Sequence, residues 1–335
     1  LALKPDHVGT LGNIGNALKE QGRFAQAIVA YRRALDLNPH YADAHRNMGH
    51  ALKELGKLDE AILAYQRAAT IKPDDDDAIF NAGNALSEQG KFDAARLAYD
   101  RVLAIKPDYA EVYSNIGHTF KEQRKIDQAI LAYQRALAIR PSFAEVEANL
   151  LHQLRHTCDW AQIDDSEETH ARLGGTTELV SPFAMLSVED NPRRQLARSR
   201  RWATEKFTKL AAPLLQRPKA RPEKLRIGYF SADFHNHPCA YLTAGLMDQH
   251  DKSKFEIYAF SYGPDKSDEM RQHSMHAVDR FIDIRMQSDQ EVCDLARNLG
   301  IDIAIDRNGY TAKARTALFQ RRVAPVQVNY LGYPG

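Results

Sequence analysis

Between residues 8 and 143 the pattern of apolar and polar positions repeats every 34 residues. Gly15, Gly49, Gly83 and Gly117 share one column of the repeat, and Ala27, Ala61, Ala95 and Ala129 another. Tyr31, Tyr65, Tyr99 and Tyr133 fill a third column, and Pro39, Pro73, Pro107 and Pro141 a fourth. Each period predicts a pair of helices. Glycine and alanine let the two helices approach, the tyrosine ring fills the gap between them, and proline stops the second helix. Four full repeats fit this span; Pro5 lies one period before Pro39, so the chain is expected to begin at the tail of an earlier unit.

A 34-residue period with these columns is the signature of tetratricopeptide (TPR) repeats. The pattern fails after Asn149, where Leu151 takes the glycine column. One last helix is expected over residues 144–156, then a segment built around Trp160, a break at Gly174–Glu178, and an amphipathic helix within 191–214 with Leu196, Trp202 and Phe207 toward the core. Gln216–Lys224 has the proline and charge content of a linker. From Leu225 the period changes. Leu225–Phe230, Phe255–Ser261, Arg280–Ile284, Ile301–Arg307 and Val326–Gly332 read as buried strands. AYLTAGLMDQHD, SDEMRQHSMHAV, DQEVCDLARNLG and KARTALFQRR read as the crossover helices between them. Alternating strands and helices predict a doubly wound, mostly parallel sheet. The expected organisation is a TPR array over 1–156, a helical connector and linker over 157–223, and a Rossmann-like α/β domain over 224–335.

One repeat column is not explained by packing. Asn13, Asn47, Asn81, Asn115 and Asn149 are 34 apart, although asparagine has modest helix propensity and an amide that needs partners. On the first helix of each pair the column is expected to face the groove of the solenoid, as a ladder of amides that grips an extended peptide backbone without reading its side chains. The alternative is that these asparagines tie neighbouring helices together or are solvated. Three positions on, Asn16, His50, Asn84, His118 and His152 keep the same face polar.

Charge and cysteines narrow the function classes. Lysine and arginine total 45 against 44 acidic residues, which gives no footprint for a nucleic acid, and Arg193–Arg201 reads as one solvated helix face. No apolar run approaches the roughly 18–20 residues of a membrane span, and LALKPDHV does not read as a signal peptide. Cys158, Cys239 and Cys293 are odd in number and far apart, as expected of free thiols in the cytoplasm. Asp74–Asp77 lacks the glycine and distal glutamate of a calcium loop and reads as a solvated helix start.

The unusual chemistry lies at strand ends. ADFHNHPC follows the first strand, NGYT (Asn308–Thr311) the fourth and GYPG (Gly332–Gly335) the fifth, and in a doubly wound sheet ligands bind beyond these ends. The first turn lacks G-x-G-x-x-G, which argues against a dinucleotide. A lone histidine at a strand end is commonly structural, but Asp233, Asn236 and His237 share one loop at the ligand edge, and Pro238 fixes the chain before a helix. Asp-x-His-x-His-x-Cys also offers metal ligands; one tight loop rarely completes a site, and the mixture of hard and soft donors argues against a single metal, so none is expected.

Taken together, the repeats with their asparagine column, LRHTCDW, RIGYFSADFHNHP, NGYT and APVQVNYLGYPG resemble the O-linked N-acetylglucosamine (O-GlcNAc) transferases of glycosyltransferase family 41, bacterial members above all. The likeness covers nearly the whole chain. The resemblance implies a GT-B glycosyltransferase that moves GlcNAc from UDP-GlcNAc to serine or threonine hydroxyls, with inversion and without a metal or other cofactor. It implies that Asp233 and His237 line the reaction centre, that Asn236 shares their motif, and that Pro238 and Cys239 touch the donor sugar. Leu331, Gly332 and Pro334 then lie near the donor, Tyr310 and Thr311 beside the acceptor, and Asn13, Asn47, Asn81, Asn115 and Asn149 on the peptide. Asp233 or His237 would orient the attacking hydroxyl or take its proton. Expected partners are peptides in the groove and a nucleotide sugar, with a homodimer through the repeats as a further assembly. The chain departs from the animal enzymes at Cys239, where they carry threonine, at Pro182–Phe183, where they carry a histidine, and at Ala312–Lys313. These departures bear on which sugar is used. The resemblance also implies a second lobe whose lysine and helix N-terminus hold the diphosphate; nothing of it follows Gly335, so these residues are expected to grip a peptide without transferring sugar. Rival readings are fucose from GDP-fucose, as in SPINDLY proteins, an asparagine acceptor, and a non-catalytic TPR scaffold.

Overall fold

A tyrosine ring seated on a bare glycine Cα joins the two helices of each repeat. In the computed structural model, which describes residues 7–163, 166–207, 222–264, 266–311 and 314–331, α1 (Val8–Glu20) pairs with α2 (Phe24–Leu37) and α3 (Ala42–Glu54) with α4 (Leu58–Ile71). α5 (Asp76–Glu88) then pairs with α6 (Phe92–Ile105) and α7 (Ala110–Glu122) with α8 (Ile126–Ile139); α9 (Ala144–His156) closes the array. A methyl group on Gly15 would lie 2.4 Å from Tyr31 Cε1, and one on Gly83 2.7 Å from Tyr99 Cε1, so glycine here is a steric requirement. The four column alanines and four column tyrosines are buried, as the pattern predicts. The turn inside each pair needs a left-handed residue. Gly22, Gly56 and Gly90 supply it with φ of 71°, 72° and 76°, while the fourth repeat places Arg124 there at 60°. A Cβ in that region costs roughly 1–2 kcal/mol.

The chain divides into two compact units, Leu1–Asp165 and Ser166–Gly335, so the segment read as connector falls on both sides of the division. In the second unit α10 (Glu167–Arg172), α11 (Pro182–Met185) and α12 (Pro192–Phe207) precede the sheet. Here the apolar pattern misleads. The buried face of α12 carries Gln195, Arg198 and Ser199, and Leu196 is 41 % exposed. Arg198 turns inward because it has partners there: an ion pair with the equally buried Glu189, the carbonyl of Leu173 at 2.6 Å, and that of His170. Arg194 also pairs with Glu189, at 2.6 Å, and Arg201 donates to the carbonyls of Gly175 and Thr177 at 2.9 and 2.8 Å. The basic run therefore organises the loops around it and is not one solvated face. Trp160, expected to anchor its segment, is 62 % exposed.

All five expected strands form, as β1 (Leu225–Ser231), β2 (Phe255–Ser261), β3 (Arg280–Asp283), β4 (Ile303–Asp306) and β5 (Val326–Asn329). They pair in parallel in the order β3-β2-β1-β4-β5. Between them run α13 (Pro238–Asp248), α14 (Glu269–Ala277), α15 (Asp289–Asn298) and α16 (Ala317–Gln320). One sheet face, with Phe230, Tyr258 and Phe260, packs on Val292, Cys293 and Leu318 of α15 and α16. The other, with Tyr229, Ile257 and Ala259, packs on Met247 and Ala277 of α13 and α14. The result is a doubly wound sheet covered on both faces. The last crossover is shorter than its sequence suggests. Arg315 is drawn to the carbonyls of Ile284 and Gln287 and to Asp289, and Thr316 Oγ1 donates to Gly309 O, which leaves one helical turn before Arg322 turns left-handed at φ 57°.

Candidate active site

The direction of winding reverses between β1 and β4, and the crevice beyond the strand ends at such a point is where doubly wound sheets bind ligands. β1 runs there into the turn 232–237. Asp233 N–H donates to Ser231 Oγ at 3.0 Å, and buried Phe234 meets Phe281 edge-on at 5.6 Å. Pro238, in the first turn of α13, needs no N–H partner there. The cap itself is His237, a position usually given to serine, threonine, aspartate or asparagine. Its backbone is extended and its Nδ1 accepts from Cys239 N–H at 3.3 Å. The same Nδ1 stands 3.8 Å from Asp233 Oδ2. The imidazole is 39 % exposed and the carboxylate 15 %, so one side of the pair is open to a substrate.

Asn308, just past β4, completes this arrangement and was not among the residues expected from sequence. It is 3 % exposed, and its Nδ2 donates to Asp233 Oδ2 at 2.8 Å. Its Oδ1 accepts from Ala232 N–H and Tyr262 O–H, each at 3.0 Å. One amide thus aims the carboxylate and locks the two sides of the switch point together. Asp306 supports it by accepting from the N–H groups of Asn308 and Gly309 at 2.9 and 3.1 Å, and burial raises its carboxyl above the usual range. Arg307, 1 % exposed, lies beneath the turn: Nη2 donates to Cys239 O at 2.7 Å and to Thr243 Oγ1, and the guanidinium stacks 4.9 Å from the Phe234 centroid. Burial, and then the charge of Asp233, raise the Cys239 thiol above its ordinary value.

The other expected residues divide. Asn236 turns its Oδ1 to Met270 N–H at 3.2 Å, so its carboxamide braces the start of α14. Pro238 is exposed and Cys239 partly so, on the first turn of α13. Tyr310 and Thr311 are partly buried and follow directly on Asn308; Thr311 N–H donates to Asn308 O at 3.3 Å. Leu331 is 46 % exposed with a left-handed φ of 64°. Gly332 and Pro334 lie outside the described residues.

In the repeat unit Asn13, Asn47, Asn81, Asn115 and Asn149 sit one on each of α1, α3, α5, α7 and α9, exposed or partly so. Asn81 and Asn149 spend one N–H on their own helix, to Asp77 O at 2.7 Å and Glu145 O at 2.9 Å. Asn115 Nδ2 donates to Asn84 Oδ1 of the preceding repeat at 2.8 Å, and Asn47 Oδ1 accepts from Lys19 at 3.2 Å. Part of the column thus ties neighbours together. Three members of the column three positions on are committed inward: Asn16 and Asn84 accept from Tyr31 and Tyr99 hydroxyls at 2.8 and 2.9 Å, and His50 packs edge-on against Tyr65, whereas His118 is exposed beside Glu122.

Comparison with known proteins gives this geometry its relatives. Residues 184–335 match the model of glycosyl transferase family 41, and TPR models match over residues 15–56, 49–90, 83–124 and 110–143. A probable UDP-N-acetylglucosamine–peptide N-acetylglucosaminyltransferase (SEC) of Arabidopsis thaliana is 30 % identical over 166 residues, which cover 47 % of this chain and 17 % of that protein. The Caenorhabditis elegans UDP-N-acetylglucosamine–peptide N-acetylglucosaminyltransferase is 35 % identical over 113 residues, 33 % of this chain and 10 % of its own length. Among solved structures, a mutant O-GlcNAc transferase of Thermobaculum terrenum aligns at 25 % identity with a TM-score of 0.52, over 87 % of this chain and 50 % of that one. The match thus spans half of that enzyme and smaller shares of the curated relatives. The chain thus carries tetratricopeptide repeats followed by a segment that matches the glycosyl transferase family 41 model, and it is similar to O-GlcNAc transferases.

Proposed function

We propose that this chain is the peptide-holding and acceptor-side part of a protein O-GlcNAc transferase, which moves GlcNAc from UDP-GlcNAc to serine or threonine with inversion and without a metal. The observation that carries the reading is the Asp233–His237 pair, open on one side and fixed by Asn308 at the switch point of the sheet. A hydroxyl placed against this pair attacks the anomeric carbon as UDP leaves. In the tautomer whose Nδ1 accepts from Cys239 N–H, the ring carries its proton on Nε2. In that tautomer His237 orients the hydroxyl by donating to its oxygen, and the proton passes to Asp233 or to a phosphate oxygen. Such positioned proton transfer contributes about two to four orders of magnitude. The half-free amides of Asn81 and Asn149 suit a peptide backbone in the repeat groove. Free cysteines suit a cytoplasmic protein, and among the described residues no helix is long and apolar enough to cross a membrane. A homodimer through the repeats belongs to the same proposal: Val29, Leu63, Leu97 and Leu131, 34 apart, are all at least 59 % exposed. The test is mass spectrometry of a peptide pool incubated with the protein at its full natural length and, separately, UDP-GlcNAc, UDP-glucose and GDP-fucose. N-acetylhexosamine on serine or threonine from UDP-GlcNAc alone is expected. Fucosylation, an asparagine adduct, or no adduct with any donor would replace this reading.

A further inference from the structure

Asp233, His237 and Cys239 come from one turn, and each offers a ligand atom within 4.8 Å of the other two. A tetrahedral ion with bonds of about 2.0–2.3 Å spaces its ligand atoms roughly 3.3–3.8 Å apart. Asp233 Oδ2 and His237 Nδ1, at 3.8 Å, already meet that spacing, and the Cys239 sulfur lies within 4.8 Å of a ligand atom of each. The donor mixture that argued against a metal in the sequence is one that zinc tolerates, since it accepts thiolate, imidazole and carboxylate, whereas calcium and magnesium favour oxygen alone; what the sequence did not show is that the fold gathers the three ligand atoms together. The carboxylate is oriented in advance by Asn308, as ligating carboxylates commonly are. All three side chains are partly exposed, so the ion has a way in. Three ligands are too few for a closed structural site; they are the number found in open ones.

We propose that Asp233, His237 and Cys239 form a zinc-binding site, and that zinc held there competes with the acceptor hydroxyl and shuts off transfer. As zinc binds, the Cys239 thiol releases its proton to solvent, and the Cys239 N–H bond to His237 Nδ1 is exchanged for the metal. The inhibitory half of the proposal rests on the transferase function above; the binding half does not.

The experiment titrates the purified chain with Co²⁺, as a coloured stand-in, and with Zn²⁺ against a chromophoric chelator. A thiolate-to-cobalt charge-transfer band is expected. C239S should abolish the band, and both C239S and D233N should weaken Zn²⁺ binding at least about tenfold. C158S should change neither, and Mg²⁺ should not compete. Circular dichroism checks that the variants fold; if C239S does not, H237Q with the zinc readout decides. A parent chain without the band, or folded ligand variants that keep parental zinc affinity, would overturn the site. With the full-length transferase, Zn²⁺ should inhibit and EDTA restore activity; zinc binding at these residues without inhibition would overturn the competition alone.

Discussion

Asn308 makes the sharpest demand on the architecture, since one amide holds three groups from two other elements. Asn308→Ala removes the acceptor of the Ala232 N–H and Tyr262 O–H and the donor to Asp233. A buried polar group left without a partner costs about 1–3 kcal/mol, so two orphaned neutral groups place the loss at about 2–6 kcal/mol. For a unit of this size each kcal/mol lowers Tm by roughly 2–4 °C, so a drop of about 4–24 °C follows. Asn308→Asp separates the two duties. It keeps an acceptor for Ala232 and Tyr262 but sets a second carboxylate oxygen where a donor stood 2.8 Å from Asp233. That pair is tolerable when it holds a proton and repulsive when it does not. The stability penalty should therefore be small near pH 4 and grow toward pH 8, the sign expected when the folded state binds more protons than the unfolded one. The chain has two units and a global melt mixes them, so hydrogen exchange read by mass spectrometry over 225–240 is the suitable assay. The reasoning fails if Asn308→Ala costs less than about 1 kcal/mol, or if the Asn308→Asp penalty does not depend on pH.

Other consequences can be checked on the same material. Arg198→Ala should destabilise the second unit by about 3 kcal/mol in urea titration, the low end for breaking a buried pair, because Arg194 still holds Glu189. Asp306→Asn keeps an acceptor for the Asn308 and Gly309 N–H groups while removing a charge that burial disfavours. Since its folded pKa is raised, stability falls as pH climbs from the ordinary carboxylate range through that raised value; the variant should be more stable than the parent at pH 7 and lose the advantage below pH 4. Arg124→Gly should stabilise the repeats by about 0.5–1 kcal/mol, because the other three repeats place glycine at this left-handed turn.

Most of the fold was legible because its rules are local or periodic. The glycine and tyrosine columns name the helix contact directly, and the apolar runs name all five strands. Three features were not. α12 buries Arg198 because Glu189 and two carbonyls receive it, a tertiary arrangement that reverses the apolar pattern and leaves Leu196 outside. The last crossover loses its helix to the side-chain anchors of Arg315. Within the candidate site, the turn 233–239 was visible as a cluster of chemistry, but its partner lies 75 residues away, and only the parallel pairing of β1 with β4 brings Asn308 to it. The one available signal was a carboxamide immediately after a buried strand, in a motif from which Tyr310 and Thr311 drew the attention. The asparagine column was half legible: its recurrence was plain, while the bond from Asn115 to Asn84 depends on how one repeat seats on the next.

The central claim is a division of labour, with the repeats holding the peptide and the β1–β4 switch point acting on its hydroxyl. One kinetic comparison tests it, on the full-length protein with UDP-GlcNAc and an acceptor peptide. His237→Ala should lower kcat at least about a hundredfold with peptide affinity unchanged, while the double variant Asn81→Ala/Asn149→Ala should raise the peptide KM about tenfold or more with kcat near parental. Turnover that survives His237→Ala, or ladder variants that leave the peptide KM untouched, would contradict it.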